Sequence, residues 1–597
     1  MNSFQRGVEA HQKGQFLEAQ RFYQEYLRRF PGDFNSLQLL GLTYSSLGDL
    51  DSAIDNFKRS LSINPEQAHV FNNLGVCQKK KLLLADAQAS FLKSIDLQAD
   101  YLDPHKNLIR LFLEAGIYKD AWSAIEKANA NFPNHMAIVK LKADYYQGIE
   151  DYAQAINLFE GLLQANPQAT LVKHSLALNL RMDGQSARAL ELYNQLEQEG
   201  MLNFQLFHNK ANAMSDLGQL QNAIEYYRKA ITENPAYVES HKNLSDLLWE
   251  TNNKEDFLMS YLDAFKLVPD NLELRFSYAS ILLRLGEYAR AKEFLEPLSQ
   301  IAQEHFEYFD LLGRGYKKLG NIKVALEMQR RACQFENVPV SVLINFAETL
   351  IEVESYIEAQ EVLNNVLQQQ PDNKHGWALL GIVWKMLGDP RSEVLNDYDQ
   401  LVREYFIDVP KGYDSVEDFC GQLNAYLTSL HNTKTQPLEQ TLSGGTQTRG
   451  NLFDDSNPLI RSLIGEIEKC IRSYIEDTES FNGHLPVFNA AEDFHFSGSW
   501  SVRLEKNGFH GQHIHPMGWL SSAFYVELPK VIDDDLAKGG WLKIGAANLD
   551  VINEPVTERH IKPVVGKLVL FQSYMWHGTI PFDSEEARMT VAFDVAR

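Results

Sequence analysis

The chain has 597 residues, of which 44% are hydrophobic and 23% charged, values that exclude a disordered chain. A formal net charge of -23 argues against nucleic acid as a partner, because phosphate binding needs a basic footprint. The four cysteines, Cys77, Cys333, Cys420 and Cys470, are widely spaced with no CxxC pair, which argues against a disulfide framework or a cysteine zinc site.

The first residues, MNSFQRGVEAHQKGQFLEAQ, contain no apolar core of a secretion signal. No run approaches the roughly 18 apolar residues that a membrane span needs. The expectation is a cytoplasmic chain, with the cysteines as small buried apolar residues.

From residue 7 the chain repeats with a step of 34. Gly7, Gly41, Gly75, Ile109, Ala143, Ala177, Ala211, Ser245, Ala279, Gly313, Ala347 and Gly381 form a series in which eleven of twelve residues are Gly, Ala or Ser. Twelve residues after each comes a second series, from Ala19 and Ala53 to Glu393, in which ten of twelve are Ala. Four residues further on stand large apolar side chains: Tyr23, Phe57, Phe91, Ile125, Phe159, Tyr193, Tyr227 and Tyr261. Pro31, Pro65, Pro133, Pro167, Pro235, Pro269 and Pro371 close many units.

Each unit therefore reads as two short antiparallel helices. The small residue and the Ala lie where the helices cross, and the large side chain one turn later fills the space beneath. Proline stops the second helix because it lacks an N–H and clashes with the preceding turn. A single pair cannot bury its apolar face, so pairs stack. The pattern departs from itself at Ile109, Phe257 and Glu393, and proline is missing at Ala99, Met201, Gln303 and Asn337.

A 34-residue helical repeat of this kind resembles the tetratricopeptide repeat. The resemblance covers about residues 1–395, some 11–12 repeats, with the unit around Gly381 capping the stack. It implies a partner protein or peptide held on a concave face. Asn72, Asn73, Lys106, Asn107, Lys242 and Asn243 fall on first helices, where they form either a ladder gripping a peptide backbone or a solvated face.

After about residue 400 the periodicity changes. One helix is expected in FCGQLNAYLTSLH, a loop over 432–449, and a second helix over 457–476 after an Asn-Pro pair. From Phe494 the segments FSGSWSVRLE, GWLSSAFYVEL, GWLKIGAA, GKLVLFQSY and MTVAFDVA read as strands, fitting a β-sandwich or jelly roll.

Histidines cluster on these strands. His510, His513 and His515 fall within six residues, and residues two apart on a strand share a face, so His513 and His515 can reach one ion. His577 follows a later strand, and Arg588 and Thr590 open the last one.

This order, with HxHP, GW and LFQSYMWHGTIPF followed by an arginine, resembles the 2-oxoglutarate- and iron(II)-dependent oxygenases, most closely a bacterial group, over about residues 440–597. The resemblance implies a double-stranded β-helix (jelly-roll) domain with flanking helices over 396–597, after the all-α solenoid of 1–395. It implies Fe(II) held by His513, His515 and His577, with 2-oxoglutarate as cosubstrate anchored by Arg588, with Thr590 and Tyr525 adding hydrogen bonds. His515 stands where the wider superfamily has a carboxylate. It is either a third ligand or sits behind a metal-bound water, and three neutral imidazoles also suit zinc.

The implied chemistry is hydroxylation of a protein or peptide recruited by the solenoid, with no nucleic acid and no membrane involved. The alternative is a non-catalytic interaction scaffold whose barrel is degenerate or binds zinc. A repeat-bearing glycosyltransferase is disfavoured, because the C-terminal part is too short for two nucleotide-sugar domains. Other residues carry plainer expectations. His510 is a loop residue or lies behind the ligands, and His560 is in a polar loop. Arg503 lines the site or pairs with a carboxylate. Asp533, Asp534 and Asp535 form a solvated turn, and Trp519 and Trp541 belong to the core.

Overall fold

The computed structural model describes residues 2–433, 441–478, 493–545, 547, 549 and 559–596. They fall into two compact units, Met1–Met201 and Leu202–Arg597.

The first unit consists of six helical pairs, from Ser3–Gln12 and Phe16–Arg29 to Thr170–Met182 and Ser186–Gln198. The steric reading of the repeat is met atom by atom. A Cβ added to Gly7, Gly41 or Gly75 would lie 2.6, 2.7 or 2.6 Å from the rings of Tyr23, Phe57 and Phe91. Those three rings and Ala19, Ala53 and Ala87 are wholly buried. At Ile109 the larger side chain is tolerated because its partner shrinks to Ile125, and both are buried. Missing prolines are replaced by other punctuation: Gly200 takes φ 90° before Met201, and Asn337 in the second unit takes φ 58°.

Phe57→Ala should cost about 3–5 kcal/mol, as for a fully buried aromatic. In urea unfolding monitored by circular dichroism, the variant should lose its helical signal at lower denaturant than the wild type.

Three of the Asn positions bond across successive repeats. Asn107 Nδ2 donates to Asn72 Oδ1 at 2.9 Å, and in the second unit Asn243 Nδ2 donates to Asn212 Oδ1 at 2.9 Å. These amides link successive first helices.

The second unit opens with more pairs, Phe204–Asp216 to Arg391–Leu395. Phe257 is too large for the Ala position, and the second helix of that pair begins only at Met259, leaving nine residues, Met259–Leu267. At Glu393 the closing helix shrinks to Arg391–Leu395, whose Leu395 packs on Gly381.

Among the described residues nine strands follow: β1 (Arg403–Phe406), β2 (Leu442–Gln447), β3 (His495–His510), β4 (Leu520–Glu527), β5 (Leu542–Ile544), β6 (Arg559–Ile561), β7 (Lys567–Gln572), β8 (His577–Thr579) and β9 (Arg588–Ala596). They form an antiparallel six-stranded sheet, ordered β1-β7-β4-β9-β3-β2, and a three-stranded sheet, β6-β5-β8. The expected loop over 432–449 is corrected in its described part: 442–447 is β2, paired with β3. Its sequence, LSGGTQ, reads as a turn. The glycines instead make a bulge at Ser443/Gly445, where Gly445 lies against the Arg503 backbone with no room for a side chain.

Helices Val416–Leu430 and Pro458–Thr478 cover one face of the large sheet. Phe419, Leu423, Leu427, Leu463, Ile467 and Ile471 pack there with Phe524, Leu568, Leu570, Val591 and Phe593. A second core joins Leu350, Trp377, Leu380, Trp384 and Leu395 of the last helical pairs to Tyr525, Leu542, Val569, Phe571 and Met575 of the strands. Among the described residues no helix is long and apolar enough to cross a membrane. The four cysteines are free thiols, and Cys77, Cys420 and Cys470 are buried.

Candidate metal centre

The two-residue histidine step does not lie in a regular strand, which corrects the expectation. It sits in the connection between β3 and β4. His513 N donates to His577 O and His577 N to His513 O, each at 2.9 Å, an isolated bridge to the first residue of β8. His515 N donates to Ser573 O at 3.0 Å. Three backbone bonds thus place three imidazoles that a strand alone would not bring together.

His513, His515 and His577 each offer one ligand atom, all within 4.8 Å of one another. Ring centroids stand 4.2 Å apart for His513 and His577, and 5.0 Å for each of the other pairs. The outer nitrogens have defined acceptors. His513 Nδ1 lies 2.8 Å from Gly511 O, and His577 Nδ1 lies 2.9 Å from Met575 O. A carbonyl only accepts, so these partners put the proton on Nδ1 and leave Nε2 as a bare lone pair. His515 Nδ1 lies 2.5 Å from Asp594 Oδ1, a carboxylate that acts in the same way.

All three Nε2 atoms are therefore acceptors. His513 Nε2 and His515 Nε2 are 3.0 Å apart, which two lone pairs disfavour unless a cation lies between them. Two nitrogens about 2.1 Å from one ion stand about 3.0–3.4 Å apart for angles between 90° and tetrahedral. The donor set thus fits a transition metal ion.

Burial, helped by the nearby His515, pushes the His513 imidazole down to about 4. Burial holds His577 and His510 well below the usual histidine range. Neutral imidazole is the metal-binding form. An unfolded histidine titrates near 6.5, so the unfolded chain binds protons that the folded metal-free chain does not. Stability of the metal-free protein should fall as pH drops from about 6.5 toward 4. Urea midpoints measured across this window should show a shallower fall for His513→Asn.

Arg588, the first residue of β9, is 2% exposed. Its guanidinium lies 5.3 Å from the Tyr525 ring centroid. Neither Arg588 Nε nor the Tyr525 hydroxyl finds a hydrogen bond of good geometry, and no carboxylate among the described residues pairs with Arg588. Burial lowers the guanidinium from its ordinary value and pushes the Tyr525 phenol up to about 12. A buried cation without an anion is costly. It shares a pocket with the three imidazoles, walled by Trp500, Leu542, Phe571 and Thr590.

The remaining expectations resolve individually. His510 lines the pocket, its ring 5.8 Å from His513, and stands outside the three-nitrogen group. Arg503 pairs with Glu505 at 2.5 Å. His560 is exposed on β6 rather than in a loop. Lys562 pairs with Asp535 at 2.9 Å and Asp533 at 3.5 Å, as suits a solvated turn. Trp519 is buried, and the half-buried Trp541 donates to Ile532 O at 3.0 Å. Asp594 was missed by sequence reasoning. The alternation Arg588, Thr590, Ala592, Asp594 along β9 puts it on the pocket face, a signal that was available.

Paired helices at a 34-residue period, followed by an antiparallel two-sheet domain holding converging imidazoles, define a repeat protein with a C-terminal β domain that carries a candidate metal centre. Family comparison adds the classes. Residues 498–594 match the family described as "Putative 2OG-Fe(II) oxygenase", and residues 34–67, 140–203 and 204–237 match tetratricopeptide repeat families.

Among curated proteins, the chain is 22% identical over 341 residues to "Protein CTR9 homolog" of Arabidopsis thaliana, covering 57% of this chain and 23% of that protein. It is 23% identical over 376 residues to "Tetratricopeptide repeat protein 21B" of Xenopus laevis, covering 57% and 27%. The chain thus spans about a quarter of the length of these relatives. Among solved structures, yeast Tom70 aligns with a TM-score of 0.35 at 17% identity, over 66% of this chain and 89% of that one. A tetratricopeptide repeat protein from Parabacteroides merdae aligns with a TM-score of 0.36 at 15% identity, over 40% and 96%.

Proposed function

We propose that this chain is a 2-oxoglutarate- and Fe(II)-dependent dioxygenase that hydroxylates a protein or peptide recruited by its repeat solenoid. In this reading residues 1–395 form the solenoid and 396–597 a jelly-roll oxygenase domain, acting in the cytoplasm. The observation that carries it is the buried Arg588, without a carboxylate partner among the described residues, in one pocket with three convergent Nε2 lone pairs.

His513, His515 and His577 would hold the iron, and Arg588, with Thr590 and Tyr525, the distal carboxylate of 2-oxoglutarate. Bound iron(II) would supply dioxygen activation, with 2-oxoglutarate as reductant. The residues supply the rest. Neutral imidazoles leave the metal with one more positive charge than a two-histidine, one-carboxylate set, which favours a dianionic cosubstrate. Asp594, one imidazole further out, offsets part of that charge and holds His515 in register. Trp500, Leu542 and Phe571 keep the pocket apolar, so the charged contacts act at low dielectric.

The all-imidazole donor set also favours zinc, and a zinc-bearing, non-catalytic scaffold is the second reading. That reading leaves Arg588 without a task. The test is anaerobic loading with iron(II) and 2-oxoglutarate, followed by air and succinate assay. Air-dependent succinate supports the oxygenase; iron-loaded protein that yields none, even with peptide present, supports the scaffold.

A further inference from the structure

Histidines with structural roles in this chain are held by hydrogen bonds at their ring nitrogens. His208 Nδ1 lies 3.0 Å from Ser240 Oγ, and its Nε2 lies 3.1 Å from Asn212 Nδ2. His241 has Ser260 Oγ and Pro235 O at 3.0 Å on its two nitrogens. His431 reaches Thr446 Oγ1 at 2.7 Å and Ser501 Oγ at 3.0 Å. The three metal-facing imidazoles have their outer nitrogens occupied in the same way. His510 is the exception. Among the described residues its backbone N–H has a partner and neither ring nitrogen does.

The backbone of His510 is fixed on two sides. As the last residue of β3 it pairs with Leu442 of β2, and its N–H donates to Thr579 Oγ1 of β8 at 2.8 Å. Its carbonyl packs on Gly578, where a Cβ would lie 2.8 Å from the oxygen. The fold holds the position and leaves the ring unspent. Nor is the ring closed off: the residue is half-buried and lines the pocket that also holds Arg588 and the three imidazoles. Burial, then the neighbouring His513 and Arg588, keeps the imidazole neutral, so it offers one N–H donor and one lone pair.

The oxygenase reading places Arg588, Thr590 and Tyr525 at the distal carboxylate of 2-oxoglutarate. It leaves the carboxylate beside the keto group with no protein donor. Ser522, in the same pocket, is spent: its hydroxyl donates to Phe593 O at 2.8 Å and accepts from Phe593 N at 2.9 Å. The His510 ring stands beside the metal-facing imidazoles, 5.8 Å from His513 between centroids. We propose that His510 is a second cosubstrate-binding residue, whose ring N–H donates to the carboxylate beside the keto group of 2-oxoglutarate. The proposal rests on the oxygenase reading and adds a contact at the end that Arg588 does not serve.

The test compares two ligands on the full chain, loaded anaerobically with iron(II) and followed by visible absorption. One is 2-oxoglutarate. The other is pyruvate, which keeps the keto acid and lacks the distal carboxylate, titrated to concentrations far above those that saturate with 2-oxoglutarate. His510→Ala should bind both about 10- to 100-fold more weakly than the wild type, the loss of one hydrogen bond to a charged group. Arg588→Met should bind pyruvate as the wild type does. His510→Gln keeps an N–H donor and should recover most of the loss. Both His510 variants should carry as much iron as the wild type, because the ring is not a ligand. Unchanged 2-oxoglutarate affinity in His510→Ala, a loss confined to 2-oxoglutarate, a wild type that binds no pyruvate, no recovery in His510→Gln, or a fall in iron content would each overturn the proposal and leave the oxygenase reading standing. A wild type that holds iron and takes up no 2-oxoglutarate would overturn both.

Discussion

Arg588→Met should abolish 2-oxoglutarate binding and leave the cosubstrate-free fold at least as stable as the wild type. The two effects have one cause. In the folded chain the guanidinium is buried without a carboxylate partner among the described residues. Replacing buried ionic groups with apolar residues of similar volume is often neutral or stabilising by about 1–4 kcal/mol. In the complex the same guanidinium would meet a carboxylate in a dry pocket. Removing one member of such a pair costs about 2–5 kcal/mol, a roughly 30- to 5,000-fold loss of affinity. A thermal-shift assay reads both effects at once. At 100 times the dissociation constant a ligand stabilises by about 2.7 kcal/mol. The wild type should show that upward shift, while the variant should start higher and not respond. Arg588→Lys should recover only part of the response, because an ammonium cannot form the bidentate contact. A variant that is less stable and still responds would mean that Arg588 serves packing instead.

The second large effect concerns metal retention, and its prediction is an order. Asp594 accepts from the outer nitrogen of His515 and from the Ser521 hydroxyl and bonds no other of the three imidazoles, so Asp594→Asn should weaken iron binding by about 10- to 100-fold, as expected for a residue behind a ligand. His577→Ala removes a donor atom and breaks the three-point site, so it should exceed that loss and leave little iron after dialysis. Metal analysis of anaerobically reconstituted protein distinguishes the two. Equal iron content in both variants and the wild type would show that the imidazoles do not share an ion.

Much of this was legible in the sequence, for reasons that can be stated. The helical pairs were readable because the Gly75 and Phe91 positions are coupled sterically: one side chain occupies the space the other lacks. The same logic covers Ile109 with Ile125. Runs rich in Val, Phe, Tyr, Trp and Ser between turns marked β3, β4, β7 and β9. β2 was not legible, because LSGGTQ carries turn residues and its pairing depends on β3. The grouping of His513, His515 and His577 was legible, but the backbone that groups them was not. A bridge between residues 64 positions apart leaves no local trace. The contact of Asp594 with His515 escaped because it follows from where the β3–β4 connection meets the end of β9.

The most direct measurement is a titration of 2-oxoglutarate into anaerobic, iron(II)-loaded protein, followed by visible charge-transfer absorption. The account predicts one iron and one 2-oxoglutarate per chain, an absorption that saturates in the wild type, and none in Arg588→Met protein carrying the same iron. A wild type that keeps its iron but takes up no 2-oxoglutarate, or an Arg588→Met variant that titrates like it, would contradict the account.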